Sequence, residues 1–333
     1  RIPVEEEPIG ADAHLLFRRF WGMTSPYGQQ MLLADVILTE KPYPIKAMIV
    51  SGGNPVAAWP DSHKFREAFR KLDLLVVMDL FMTETARLAD FVLPACSSLE
   101  KLGLAYNYGL TGGMPYVLLS KRVIDPIGEA WPDWKFYSEL GRRMGYGEKF
   151  PWRNDEEVVE MFLAESGMTL KQLEEHPEGI WYGKRCYDIT EAKQVRTPSG
   201  KIELYSKTLE QAGYDPIPVY KEPTQSPIRS PELVKEYPLI LNTGARVPQY
   251  THWQMRNIHT LRRQAPDPIA EIHPETAKKY CIHDGDRIVV ETRKAQIKLK
   301  ARTTEEIMAG VVNVLHGWEG DANESLLTEL EAR

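Results

Sequence analysis

A chain of 333 residues is about twice the size of a typical single domain, so two hydrophobic cores are expected. Its 43 % apolar and 26 % charged content is ordinary for a globular protein, and its formal net charge is −6. Lysine and arginine are spread along the chain without a basic block, which excludes a nucleic-acid partner held through its phosphates.

No apolar run approaches the roughly 20 residues that span a bilayer, so no transmembrane segment is expected. The opening stretch RIPVEEEPIG starts at Arg1 and carries no signal-peptide pattern. It reads as an interdomain linker, so the chain is expected to be a piece of a longer polypeptide. Cys96, Cys186 and Cys281 lie far apart with no C-x-x-C pair. Neither a cysteine-ligated iron–sulfur cluster nor a structural zinc site can be built from them alone, and each is expected to be a small, partly buried residue.

In chain order, the first expected helix covers Gln29–Glu40 and stops at Lys41-Pro42. A strand follows at Ile45–Val50, broken by Ser51-Gly52-Gly53-Asn54-Pro55, and then a helix over Ser62–Lys71. Leu74–Met78 is a second strand ending at Asp79, Thr83–Ala89 a further helix, and Phe91–Leu93 a third strand closed by Pro94. Strand, helix, strand, helix, strand at these lengths is the pattern of an α/β layer with parallel strands. Ligands in such layers sit beyond the carboxyl ends of the strands, where Gly52–Pro55 and Asp79–Thr83 fall.

Residues 100–235 are less regular, with helices expected at Trp131–Met144, Glu156–Ser166 and Leu170–Glu175. Thr197-Pro198-Ser199-Gly200 is a turn leading into Lys201–Tyr205, and Pro216–Pro231 reads as a linker. Beyond it come a strand at Pro238–Asn242, a short helix at His273–Tyr280, a tight turn at Asp284-Gly285-Asp286 and a strand at Val311–Leu315. Arg287–Thr292 and Ile297–Arg302 alternate with period two around a turn at Lys294. Many short strands predict a closed or nearly closed β-barrel over residues 236–333, with the His273–Tyr280 helix at one end.

Several residues could carry chemistry. Gly52-Gly53-Asn54-Pro55 either lets backbone approach a phosphate or flat ring closely or is a simple strand-to-helix turn. It is not G-x-G-x-x-G, and GLTGG at Gly109–Gly113 does not fit that pattern, so a nicotinamide cofactor finds little support. Asp79 can accept two charge-assisted hydrogen bonds from a guanine edge, or it can cap a helix. Arg246, Tyr250, His252 and His259 either gather around an anionic group or form a polar loop. They lack a carboxylate or cysteine at metal-ligand spacing, and no G-x-S-x-G elbow is present.

Four stretches together resemble one family. They are PYPIKAMIVSGGNPVAAWPD at 42–61, LLVVMDLFMTETARLADFVLPACSSLEK at 74–101, TPSGKIELYSKTLEQAGYDPIPVY at 197–220, and the closing run from LILNTGARVPQYTHWQMR through IHPETAKKYCIHDGDRIVVET to HGWEGDANESLLT. In content and order they are similar to the carboxy-terminal part of the molybdopterin bis-guanine-dinucleotide oxidoreductases related to dimethyl sulfoxide reductase and formate dehydrogenase. HWQMRNIHTLRRQAPDP and GDANESLLT most resemble the acetylene hydratase and thiosulfate or polysulfide reductase branch.

The resemblance implies an α/β plus β fold: an entry segment at 1–44, a Rossmann-like dinucleotide-binding region at 45–150, connecting helices and linker at 151–235, and a double-psi β-barrel at 236–333. It implies that Gly53, Asn54 and Pro55 lie at a molybdopterin guanine dinucleotide and that Asp79 with Thr83 reads guanine. Thr243, Gly244, Arg246 and His252 would contact pterin or phosphate, and His316, Trp318 and Asn323 would close over the cofactor. The family often carries histidine near the place of Tyr250.

Two such dinucleotides with molybdenum or tungsten belong to a complete enzyme of this family, and a 4Fe-4S cluster belongs to the amino-terminal part not contained here. Partners implied are that remaining part of the polypeptide, an electron-transfer iron–sulfur subunit and a small-molecule substrate. This chain offers cofactor-binding walls and no residue suited to direct catalysis or metal ligation. The alternative is a non-catalytic binding or assembly module that pairs with a separate metal-bearing subunit.

Overall fold

The computed structural model describes residues 8–10, 28–105, 115–183, 197–250 and 255–328. By packing, the chain divides into two compact units, one of Arg1–Val77, Phe81–Phe91 and Ser206–Arg333, the other of Met78–Leu80 and Val92–Tyr205.

The first unit opens with helix α1 (Leu33–Thr39), which follows a 3-10 turn at Gln30–Leu32 and buries Ala34, Val36 and Ile37. It stops at Glu40, whose left-handed φ of 59° breaks the helical repeat before Pro42. Strand β1 (Ala47–Ser51) leads into the one-turn helix α2 (Pro55–Ala58), with Pro55 at its first position, where a missing N–H costs nothing. Helix α3 (Ser62–Lys71) then buries Phe65, Ala68 and Phe69, an i, i+3, i+4 stripe.

Strands β2 (Leu74–Asp79) and β3 (Phe91–Pro94) complete a sheet of order β1-β2-β3. Leu74 N–H donates to Lys46 C=O at 3.2 Å and Asp90 N–H to Leu75 C=O at 2.9 Å, so the strands are tied at their starts and run parallel, as the sequence pattern predicts. The Asp90 carboxylate also accepts from Leu75 N–H at 2.7 Å.

The expected helix over Thr83–Ala89 is reduced to a 3-10 turn at Ala86–Leu88. The Thr83 hydroxyl takes Ala86 N–H at 3.1 Å, and Thr85 N–H turns to the Asn54 side chain at 3.2 Å. Side chains thereby take donors that a helix would use.

The second unit carries an antiparallel sheet of β4 (Gly103–Ala105), β5 (Tyr116–Ser120) and β6 (Ile180–Trp181). Its helices are α4 (Asp133–Arg143), α5 (Asp155–Leu163) and α6 (Leu170–Glu175). Asn154 caps α5 through Glu157 N–H, and Thr169 with Gln172 forms a reciprocal capping box at α6. Val117, Leu119, Val159, Leu163, Leu170 and Leu173 form its core. Cys96, in the same unit, is buried, and burial pushes its thiol up; Cys281, in the first unit, is exposed rather than partly buried, and Cys186 lies outside the described residues.

Residues 206–328 return to the first unit with the short helices α7 (Lys207–Gln211) and α8 (Pro231–Glu236). Then come β7 (Ile240–Arg246), α9 (His259–Arg262), β8 (Ile269–Ile272), α10 (Pro274–Lys279), β9 (Arg287–Glu291), β10 (Gln296–Thr303) and β11 (Val311–His316). The five strands order as β7-β11-β8-β10-β9. β7–β11 and β8–β10 pair in parallel, while β11–β8 and β10–β9 pair antiparallel.

In place of a closed or nearly closed barrel, the described residues give a curled half-barrel with β7 and β9 at its edges. The period-two reading holds in β10, where Ile297, Leu299 and Ala301 point inward. They pack with Ala270, Ile272, Val312 and Val314, and Ala277 of α10 joins that core.

Candidate functional site

Asn54 lies between the end of β1 and the start of α2 and is 7 % exposed. Its amide oxygen accepts from the Thr85 hydroxyl at 2.9 Å and from Thr85 N–H at 3.2 Å, and its amide nitrogen donates to the Glu319 carboxylate at 3.2 Å. The Thr85 hydroxyl also accepts Val56 N–H at 3.2 Å, and Thr85 is fully buried. Next to it, Glu84 accepts Gly320 N–H at 2.5 Å with one oxygen and pairs with Arg66 at 2.8 Å with the other. The second oxygen of Glu319 faces Arg87 at 3.5 Å. Two carboxylates thus sit near each other under cover. Burial and the Glu84 charge push the Glu319 carboxyl up, and Arg256 and Arg87 pull it back in part.

The same seam is pinned a second time. Asn323 is fully buried and donates to the Ser62 hydroxyl at 3.1 Å while accepting Ser325 N–H at 3.0 Å. The Ser325 hydroxyl donates to Ala57 C=O at 3.0 Å. Residues 319–325 are therefore fastened to α2, α3 and the 83–87 turn.

Beyond β11, Trp318 is 2 % exposed and meets Tyr250 edge to face, with ring centroids 5.9 Å apart. The Tyr250 hydroxyl donates to Ala265 C=O at 2.6 Å, and burial pushes it up. Arg256 lies 5.9 Å over the Trp318 ring. The indole N–H of Trp318 is buried and has no hydrogen-bond partner among the described residues. Such a donor is costly unless a further group meets it. Trp318 and Leu315 also line a cavity of 300 Å³ with Val247 and Ile269.

The β7–β11 ladder carries a bulge. Val314 pairs with Thr243 and Leu315 with Ala245, so Gly244 is the extra residue, with φ at +90° and open space where a Cβ would stand. His316, buried, pairs with Arg246 at the ladder's end. Thr243 faces a separate cavity of 710 Å³ with Leu241 and Tyr237.

Of the predicted site residues, Gly53, Asn54, Pro55, Thr83 and Asn323 gather at the seam, and Thr243, Gly244, His316 and Trp318 follow along β7 and β11 in the same unit. Asp79 ends β2 as expected, half-buried in the second unit, with its carbonyl accepting Ala95 N–H at 3.2 Å. His252 lies outside the described residues, and Arg246 is described by its backbone alone. The sequence reading did not single out Glu84, Thr85, Glu319 or Ser325. The TETA motif at 83–86 holds two of them and was the available signal. No group of three or more histidine, cysteine, aspartate or glutamate side chains is placed to hold a metal among the described residues.

Two family models match the chain: "Molybdopterin oxidoreductase" over residues 28–143 and "Molydopterin dinucleotide binding domain" over residues 239–331. The chain belongs to the molybdopterin oxidoreductase family. It is 37 % identical to the acetylene hydratase of Syntrophotalea acetylenica over 287 residues, covering 86 % of this chain and 38 % of that protein. It is 33 % identical to the F420-dependent formate dehydrogenase subunit alpha of Methanocaldococcus jannaschii, covering 90 % and 42 %. The solved structure of acetylene hydratase from Pelobacter acetylenicus superimposes with a TM-score of 0.80 at 34 % identity, covering 92 % of this chain and 43 % of that one. The chain thus spans about two fifths of the length of these molybdopterin oxidoreductase relatives.

Among the described residues, no helix is long and apolar enough to cross a membrane.

Proposed function

We propose that this chain is the cofactor-binding part of the catalytic subunit of a molybdenum or tungsten bis-pterin oxidoreductase, and that it binds molybdopterin guanine dinucleotide. The observation that carries the reading is the seam at the end of β1, where Asn54 and Glu84 of one matched region bond to Glu319 and Gly320 of the other. Two further observations fit a large polar ligand: the buried indole N–H of Trp318 without a partner among the described residues, and the open, left-handed bulge at Gly244.

In this reading Asp79 with Thr83 reads guanine, and Gly53, Asn54 and Pro55 line the dinucleotide. Thr243, Gly244, Arg246 and His252 contact pterin or phosphate, and His316, Trp318 and Asn323 close over it. In this reading the curled half-barrel of β7–β11 is part of the family's double-psi β-barrel. The bound group supplies the metal and its redox chemistry, while this chain binds and orients it. The remaining amino-terminal part of the polypeptide, with its 4Fe-4S cluster, and an electron-transfer subunit complete the enzyme.

Titration of the chain with GDP and ADP tests the reading. GDP is expected to bind more tightly, and Asp79→Ala to lose about 1–3 kcal/mol of that binding, the range for a hydrogen bond to a charged group. Equal affinity for the two nucleotides would refute the guanine role. Stoichiometric molybdenum or tungsten with dye reduction by the isolated chain would overturn the view that it supplies only part of the site.

A further inference from the structure

We propose that Glu84 and Glu319 are positioning residues of this site, two covered carboxylates that close a hydrogen-bond ring and thereby fix which edge of the Asn54 amide faces a ligand. The ring can be walked. Asn54 oxygen accepts from Thr85; Thr85 adjoins Glu84; Glu84 accepts from Gly320 N–H; Gly320 adjoins Glu319; Glu319 accepts from Asn54 nitrogen. It draws on three segments far apart in sequence and closes without a gap.

Each member has a chemically dictated polarity. Thr85 presents an N–H and an O–H, so only the oxygen of Asn54 can face it. Glu319 presents an acceptor, so only the nitrogen can face that side. The amide cannot flip without placing donor on donor and acceptor on acceptor. One N–H of Asn54 is spent on Glu319, and the other is held in a set direction.

Burying two carboxylates close together is unfavourable for packing alone, since apolar residues would fill the space at less cost. Their side chains are only 10 % and 18 % exposed. Each is compensated by an arginine and by an N–H from the opposite segment: Arg66 and Gly320 for Glu84, Arg87 and Asn54 for Glu319. That arrangement is suited to holding the 317–323 loop in place over the end of β1. Its assignment to a cofactor site rests on the function proposed above.

The test uses the full chain with Glu84→Ala, Glu84→Gln, Glu319→Ala and Glu319→Gln. Amide hydrogen exchange at Gly320 is read by mass spectrometry, and the Asn54 side-chain resonances by NMR. Glu84→Ala is expected to speed Gly320 exchange about ten-fold or more, the equivalent of one lost charge-assisted bond. Glu84→Gln keeps an acceptor oxygen and is expected to restore most of the protection. Glu319→Ala is expected to shift and broaden the Asn54 amide pair, and Glu319→Gln to shift it less, while β8–β10 keep their protection in every variant.

GDP affinity, measured in parallel, is expected to fall in Glu84→Ala and Glu319→Ala and to recover in the glutamine variants. Unchanged Gly320 exchange in Glu84→Ala, or a uniform rise across the unit, would overturn the ring. Nucleotide affinity that ignores both alanine variants would overturn its positioning role. A wild-type chain that binds GDP no better than ADP would sink the functional reading, yet the exchange result would still stand on its own.

Discussion

Thr85→Val isolates the value of the polar seam. Threonine and valine have nearly the same shape, so the substitution leaves no cavity in a position that is fully buried. It removes two bonds: the hydroxyl donating to Asn54 at 2.9 Å and the same oxygen accepting Val56 N–H at 3.2 Å. Asn54 oxygen keeps one donor, Thr85 N–H, so its loss is that of a single ordinary bond, about 0.5–1.5 kcal/mol. Val56 N–H loses its acceptor inside the protein, where an orphaned group costs about 1–3 kcal/mol. The sum is about 1.5–4.5 kcal/mol, large against the total stability of a domain. Because a chain of two units need not unfold in one step, the assay is urea unfolding followed by hydrogen exchange, with peptides from β8–β10 and α3 reporting the first unit. Thr39→Val serves as the control. Its hydroxyl bonds to Asp35 C=O in an exposed helical turn, and the expected change is within about 0.5 kcal/mol. If Thr85→Val also stays within about 0.5 kcal/mol of wild type, the seam does not hold the unit together as argued.

Two further outcomes follow from the same unit. Glu319 has its carboxyl pushed up in the folded state, chiefly by burial, so on acidification it takes its proton in the native protein before the unfolded chain does. Stability should therefore gain a contribution as pH falls through the folded value toward the ordinary range of glutamate, and Glu319→Gln should abolish that part of the pH dependence. An identical pH profile in wild type and Glu319→Gln would contradict the assignment. Asn313→Leu breaks a polar ladder in which Asn242 donates to Asn313 at 2.8 Å and Asn313 donates to Glu271 at 2.6 Å, with Arg302 on the far side of Glu271. It should lower first-unit stability by about 1–3 kcal/mol in urea titration, and a neutral or stabilising effect would show that the ladder is dispensable.

The fold was legible where residue pattern and backbone agree locally. Helix α3 and helix α6 have the bounds read from the sequence, and β10 alternates as read. The strands of the second unit were not read because β4, β5 and β6 are short and pair across long separations, so no periodicity accumulates in them. The helix expected at Thr83–Ala89 failed for a reason that propensity does not contain: the donors there belong to Asn54 and to threonine hydroxyls. Its place at the carboxyl end of a strand made Gly52–Pro55 a candidate ligand loop, but the partners of Asn54 were invisible, since Glu319 lies 265 positions away and Gly320 lies 236 from Glu84.

That distance matters for how a family resemblance is carried onto side chains. Asn54 and Asn323 both stand at positions where the resemblance implies contact with a cofactor, yet both are covered and already bonded within the protein. A buried amide carries donors and an acceptor that must be met in a low-dielectric interior, and here protein groups meet most of them. What they can still offer a ligand is narrow: for Asn54, the N–H not used by Glu319. A donor that is buried and lacks a partner among the described residues is the indole N–H of Trp318, beside Tyr250 and Arg256. The amides are therefore better understood as parts that hold the walls in place. Beside Asp79 and the remaining Asn54 N–H, direct recognition then falls to the positions the walls present: backbone at Gly53 and the Gly244 bulge, and the Trp318 edge. This division explains how a glutamate pair and a fully buried threonine can serve one site without touching what it binds, by holding the asparagine amides and the backbone that do.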